Sequence, residues 1–201
     1  MRFLFALVLG VSSLCAAPVA LPLPGQSSAF PGNVRGYWFQ APVAFDIVGL
    51  YIPTDASSDP MNIEVLRFDA PPPEYSTTTN DFTSLFRTVN DVSAGIVPVS
   101  IQVHAGDYIG ILGQRGNVNS YASGDYVTDI FGQSVTLQRL GMQYVLASTP
   151  AQNVWAEASG SISRVEMLYD VSTAGEVPEP STLLLSGSAL LGLWARRRLA
   201  R

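Results

Sequence analysis

Between Pro18 and about residue 171 the apolar residues of this chain recur at every second position, and no stretch of a dozen residues carries them at a helical spacing. Val43, Phe45 and Ile47 share one face of an extended segment, as do Val97, Val99, Ile101 and Val103 in another. Side chains alternate across a strand, so the pattern describes half-buried strands. Further strands are expected at Arg35 to Gln40, Asn62 to Phe68, Phe82 to Thr88, Asp107 to Gly113, Ser134 to Leu140 and Ile162 to Asp170, each bounded by Gly, Pro, Asn or Asp. That makes eight or nine strands joined mostly by turns, hence paired antiparallel. The expected fold is all-β, an antiparallel β-sandwich of the jelly-roll kind. Pro98 cannot donate to a ladder, which puts its strand at an edge or a bulge. Pro53 to Pro60, Ala70 to Asn80 and Gly113 to Asp125 read as loops, and no repeat at a solenoid or propeller period interrupts the pattern.

The two ends are different in kind. Met1-Arg2 supplies one positive charge, and Phe3 to Leu14 is an apolar run of the length of a signal-peptide core, too short for a spanning helix of about 20 residues. Small residues follow, and cleavage after Ala17 is expected, which assigns residues 1–17 to a leader with a signal helix. Cys15 lies inside that leader, and the bulk of Leu14 argues against its lipidation. The body therefore has no cysteine, and at roughly 150 residues it can bury enough surface to fold without disulfides.

At the other end a small-residue linker, residues 172–176, precedes Val177-Pro178-Glu179-Pro180. The prolines break secondary structure and leave an extended peptide accessible to a protease. An apolar run of 15 residues, Ser181 to Ala195, comes next; at roughly 1.5 Å per residue it falls short of a hydrocarbon core of about 30 Å, so it reads as a short, marginal transmembrane helix. Arg196, Arg197, Arg198 and Arg201 close the chain and should stay cytoplasmic, leaving the body outside.

These three parts, Val177 to Pro180, a short apolar helix with Ser186, Gly187, Ser188 and Gly192, and a terminal arginine cluster, resemble the PEP-CTERM sorting signal. The resemblance implies processing near the Pro-Glu-Pro motif by a membrane transpeptidase, an exosortase. It also implies a Gram-negative-type host that makes exopolysaccharide, an intermediate transiently anchored in the inner membrane, and delivery to the cell surface or the extracellular matrix of a biofilm. Arg35-Gly36-Tyr37-Trp38-Phe39 and Gly106 to Gly113 resemble, more loosely, bodies of other proteins with such tails, which share no chemistry that could be carried over.

Charge narrows the partners. All eleven basic residues are arginine, and between Pro18 and Val177 six arginines face fifteen Asp and Glu, an excess of nine negative charges. An acidic body repels polyphosphate, so nucleic acid is not an expected partner.

Residues suited to catalysis are few. His104 is the one histidine, out of phase with the apolar face of its strand, and no Gly-x-Ser-x-Gly elbow supplies a nucleophile. Zinc chemistry lacks ligands; Asp55, Asp59, Asn117, Asn119 and Asp125 are oxygen-rich but match no calcium-loop spacing, and read as turn residues. No metal and no cofactor is expected. Gly113-Gln114-Arg115-Gly116 is too short for a phosphate cradle and reads as a turn. Glu64, Glu74, Glu157 and Glu166 could serve a carboxylate-dependent glycan hydrolase, the alternative to a non-enzymatic protein that contacts exopolysaccharide. For such contact the candidates are aromatic, because sugar rings stack on exposed aromatic faces: Trp38, Tyr121 and Tyr126 in a loop, and Trp155 in a polar stretch.

Overall fold

A computed structural model describes residues 17–123 and 126–171, which lie in Met1–Val171, the first of two compact units of the chain. Most of the expected leader, the tail with Val177 to Pro180 and the four terminal arginines, and Asp125 lie outside the described residues, as do the expected signal and transmembrane helices. What is described is all-β with antiparallel sheets, and no helix among the described residues is long and apolar enough to cross a membrane.

Fifteen strands are formed among the described residues, more than the eight or nine expected. They are β1 (Val19–Ala20), β2 (Gln26–Pro31), β3 (Arg35–Gln40), β4 (Phe45–Tyr51), β5 (Met61–Phe68), β6 (Phe82–Asp91), β7 (Val97–Val103), β8 (Tyr108–Arg115), β9 (Val118–Ala122), β10 (Val127–Ile130), β11 (Gln133–Thr136), β12 (Gln138–Gly141), β13 (Trp155–Glu157), β14 (Ile162–Ser163) and β15 (Glu166–Val171). The four-stranded sheet runs β1-β15-β4-β7. The nine-stranded sheet runs β13-β12-β3-β8-β5-β6, with β9 branching from β8 to hold β2 and β14; β10 and β11 make a separate hairpin.

Three sequence expectations are corrected. Gly113 to Asp125 is not one loop, because β9 lies within it and pairs with β2 and β14. Ser134 to Leu140 is two strands meeting at Leu137, since β11 pairs with β10 and β12 with β3. Ile162 to Asp170 likewise divides between the sheets, β14 pairing with β9 and β15 with β4. Pro98 does lie on an edge strand, β7, and beside a bulge in it, because Val99 and Ser100 of β7 face the single residue Val48 of β4 between the pairs Ile47–Ile101 and Gly49–Pro98.

Both faces of β3, β5 and β8 are covered, and the pleat assigns their side chains. Tyr37, Phe39, Met61, Ile63, Val65, Ile109 and Ile111 join Phe45, Ile47, Leu50, Val103, Met167 and Tyr169 of the four-stranded sheet in one buried cluster. Their neighbours in sequence, Trp38, Leu66, Phe68 and Leu112, point the other way and pack with Leu140, Met142, Leu146, Val154 and Trp155 in a second cluster. The segment between β12 and β13 closes over that second face. Each such side chain contributes roughly 1.5–3 kcal/mol on burial, so an added lid over one face is worth several buried residues.

Candidate functional site

The most elaborate constellation of polar and aromatic side chains lies where β12 and β13 end the nine-stranded sheet. Antiparallel pairing places Arg139 opposite Glu157 and Gly141 opposite Trp155, while β3 on the other side of β12 sets Arg35 opposite Gly141. Arg139 Nε lies 3.0 Å from Glu157 Oε2, and Arg35 Nε lies 4.0 Å from Glu157 Oε1. The indole N–H of Trp155 donates to the same Oε1 at 3.0 Å. Two guanidiniums thus share one carboxylate.

Aromatic rings flank this pair. The Arg35 guanidinium lies 5.2 Å from the Trp155 ring centroid and that of Arg139 lies 5.5 Å from the Tyr121 centroid, both within cation–π range. Tyr121 is stacked on Phe30 at 5.6 Å with 6° between the planes, and Tyr75 lies 5.3 Å from Trp155. A continuous ladder of planar groups therefore runs from Phe30 to Tyr75. Arg35 is fixed by its Nη1, which donates to the carbonyls of Val34 and Met142 at 3.0 and 2.9 Å. Burial holds its guanidinium pKa below the ordinary value; Arg139 adds to the depression, while Tyr121 and Glu157 oppose it. Burial also raises the Tyr121 hydroxyl, against the pull of both arginines.

A groove of about 310 Å³ opens beside the ladder, lined by Tyr126, Thr136, Gln138, Arg139, Glu157 and Ser159, with Gly160 on its lip. Gly160 has φ +104°, a backbone conformation that favours glycine, and a β-carbon there would lie 2.5 Å from Arg139 Nη1, so the lip lies close to the guanidinium. Tyr126 is half-buried, its hydroxyl donating to the carbonyl of Ala122 at 2.7 Å.

The four aromatics singled out from sequence are treated unequally. Tyr121, Tyr126 and Trp155 gather around Arg139 and Glu157, but Tyr121 lies on β9, not in a loop, and Trp155 lies on β13. Tyr121 and Trp155 are 8% and 1% exposed, so they form the floor of the site and offer no open face. Trp38 is separate: it is 7% exposed in the second apolar cluster, tilted against Tyr108 at 6.3 Å. Tyr126 alone of the four presents a partly open ring to the groove. Sequence reasoning missed Arg35, Arg139 and the direction of Glu157, since nothing in the pattern announces that β3, β12 and β13 are neighbours.

Other candidates serve structural ends. The His104 side chain is 63% exposed, with Nδ1 3.5 Å from Asp107 Oδ2, and Asp107 also pairs with Arg67 Nε at 3.0 Å and accepts the His104 backbone N–H. Glu64 is 1% exposed and accepts from Ser84 Oγ at 2.8 Å and from the Ala151 N–H at 2.9 Å, with Arg87 Nε at 3.4 Å. Asp55 is ion-paired with Arg164 and accepts from Ser120 Oγ at 2.7 Å. Asn119 spends its amide on the carbonyls of Phe30 and Asn33 and accepts from the Arg35 N–H, which leaves little for a cation. No group of three or more His, Cys, Asp and Glu side chains among the described residues is placed to hold a metal ion. Gly113 to Arg115 belong to β8, and only Gly116, at φ +54°, makes a turn.

Residues 176–198 match the model of the PEP-CTERM protein-sorting motif. Comparison with curated proteins and with solved structures gave no match. The chain is thus similar to PEP-CTERM proteins through its C-terminal segment, and that signal implies an exported protein that passes through a membrane-anchored intermediate and is processed by an exosortase.

Proposed function

We propose that this chain is a non-enzymatic protein of the cell surface or exopolysaccharide matrix, whose body, a β-sandwich of the jelly-roll kind, contacts glycan at the groove beside Tyr126, Arg139 and Glu157. The observation that carries the destination is the sorting motif at residues 176–198. A signal peptide ending at Ala17 completes the route. The core shared by the two sheets supports the sandwich reading. The aromatic and guanidinium floor, with the amide and hydroxyl groups of Gln138, Thr136 and Ser159 around it, supports the glycan reading.

Two measurements test this. Intact mass of the protein recovered from cell surface and medium should give a species beginning near Pro18 and ending between Pro178 and Ser181; a protein that retains Arg201 in the finished envelope would remove the sorting hypothesis. The purified body should then be retained on exopolysaccharide isolated from the same cells, and free passage through such a column would leave only a structural role.

The competing reading, a secreted carboxylate-dependent glycan hydrolase, has one observation in its favour: Asp69 and Asp81 both line a cavity of about 430 Å³ beside Thr77, Thr78 and Thr79. Glu64, by contrast, is engaged on both oxygens. Release of reducing ends from the same polysaccharide, abolished by Asp81→Asn, would establish the hydrolase and displace the non-enzymatic reading.

A further inference from the structure

The charged cluster that forms and underlies the groove beside β12 is net positive, opposite in sign to the body. The body has nine negative charges in excess between Pro18 and Val177, yet at this place two buried or half-buried guanidiniums, Arg35 and Arg139, meet the single carboxylate of Glu157. Glu157 is also the one acidic side chain lining the groove among the described residues. Its Oε1 accepts from the Trp155 indole, and its two oxygens are ion-paired with the Nε atoms of Arg35 and Arg139, which make no hydrogen bond of their own. The terminal nitrogens of Arg139 likewise make no hydrogen bond to another described residue, although Nη1 lies at the lip of the groove beside Gly160. Nε of Arg139 is buried in an ion pair with Glu157 and makes no hydrogen bond, so it is the terminal N–H groups that are left as a donor fork for a planar anion.

We infer that the groove takes a carboxylate-bearing sugar unit of an acidic polysaccharide, with its carboxylate on the terminal nitrogens of Arg139 and its ring against Tyr126. This rests on the glycan-contacting reading above and names the class of glycan. The arrangement suits such a unit on three counts. The carboxylate neutralises the surplus positive charge left when two arginines share Glu157. The sugar ring finds an aromatic face in Tyr126, the candidate aromatic whose ring is partly open. The ring hydroxyls meet Gln138, Thr136 and Ser159, all exposed and able to donate and accept. A neutral sugar would gain the second and third interactions but leave the charge unbalanced. A highly charged polyphosphate would meet the acidic body around this one spot.

The test is titration calorimetry of the processed body with a hexamer of galacturonate and, in parallel, with cellohexaose as a neutral hexamer. The expected result is measurable affinity for the galacturonate hexamer, weakening as salt is raised, and at least about tenfold weaker affinity for the neutral one, the difference that one charge-assisted fork supplies. Arg139→Gln should remove the preference. Because Arg139 is half-buried and its loss could disturb the sheet end, Ser159→Asp provides a second variant: Ser159 is exposed, and an added carboxylate at the groove should cut the galacturonate affinity by about tenfold with unfolding behaviour unchanged. Equal affinity for both hexamers, or indifference of galacturonate binding to both substitutions, overturns the inference. A body retained on exopolysaccharide but blind to the galacturonate hexamer loses this inference and keeps the glycan reading; one that is retained on nothing loses both.

Discussion

A β-carbon placed on Gly36 would lie 1.9 Å from the carbonyl oxygen of Ile111, so β3 and β8 meet there at a distance that no side chain allows. The glycine stands in Arg35-Gly36-Tyr37-Trp38-Phe39, a run that sequence reading recognised as a strand with the correct ends but without a reason for the glycine. The reason lies 75 residues away, in the partner strand. Tyr37 beside it has a consequence for pH. Its hydroxyl is fully buried and donates to the carbonyl of Val165 at 2.7 Å, and burial drives its pKa well above the tyrosine range. An unfolded tyrosine ionises near pH 10, whereas the folded one keeps its proton, so the folded state is favoured by this group below about pH 10 and loses that advantage as pH rises further. Denaturant unfolding of the wild type and of Tyr37→Phe from about pH 9 to about pH 11 should show the variant weaker by about 1–2 kcal/mol at the lower end, where it lacks the hydrogen bond, and the gap closing toward the upper end.

At the scale of elements, the strands that sequence pattern located are those packed by apolar alternation: β3, β5, β7 and β8 emerge within one or two residues of their expected bounds. Those it missed are held by other forces. All six residues of β2 are exposed, and the strand exists through its ladder with β9 and through Asn119, whose amide donates to the carbonyls of Phe30 and Asn33. β9 itself buries Asn119 and Ser120, polar residues that pattern reading assigns to a loop. The candidate site was legible only as a set of aromatics; the arginines that organise them depend on β12 leaving the β10–β11 hairpin at Leu137 to join β3, and no local signal marks such a change of partner. One buried carboxylate holds the lid over the second apolar face. Glu64 receives the Ala151 N–H from the segment between β12 and β13 and Ser84 Oγ from β6. Glu64→Ala should lower stability by about 2–3 kcal/mol, less than a fully buried ion pair would cost because the Arg87 side chain is 29% exposed and keeps part of its hydration. Limited proteolysis of that variant should cut between residues 142 and 154 before any other place, and a cut elsewhere first would show that Glu64 does not fasten the lid.

For the whole molecule, export and stability meet in the absence of sulfur chemistry. The one cysteine, Cys15, precedes Ala17, so under the cleavage proposed above the exported body has no thiol to pair. Two apolar clusters, one on each face of the central strands, supply what disulfides supply in smaller exported domains. The thermal midpoint of the protein recovered from the cell surface should therefore be the same with and without reductant; a reductant-dependent shift would mean that Cys15 is retained and pairs between copies of the chain.

The first and last strands of the body lie side by side, Val19 opposite Tyr169 and Ala20 opposite Leu168, at the margin of the four-stranded sheet. Chain entry and chain exit are thus two ends of one seam. A pull transmitted from residue 172 reaches Val171 first and travels back along β15, opening its rungs with β1 and β4 singly and in order, as a zipper opens. Drag on the tethered intermediate would strip this margin at low force, and the nine-stranded sheet that carries the groove would not bear the load.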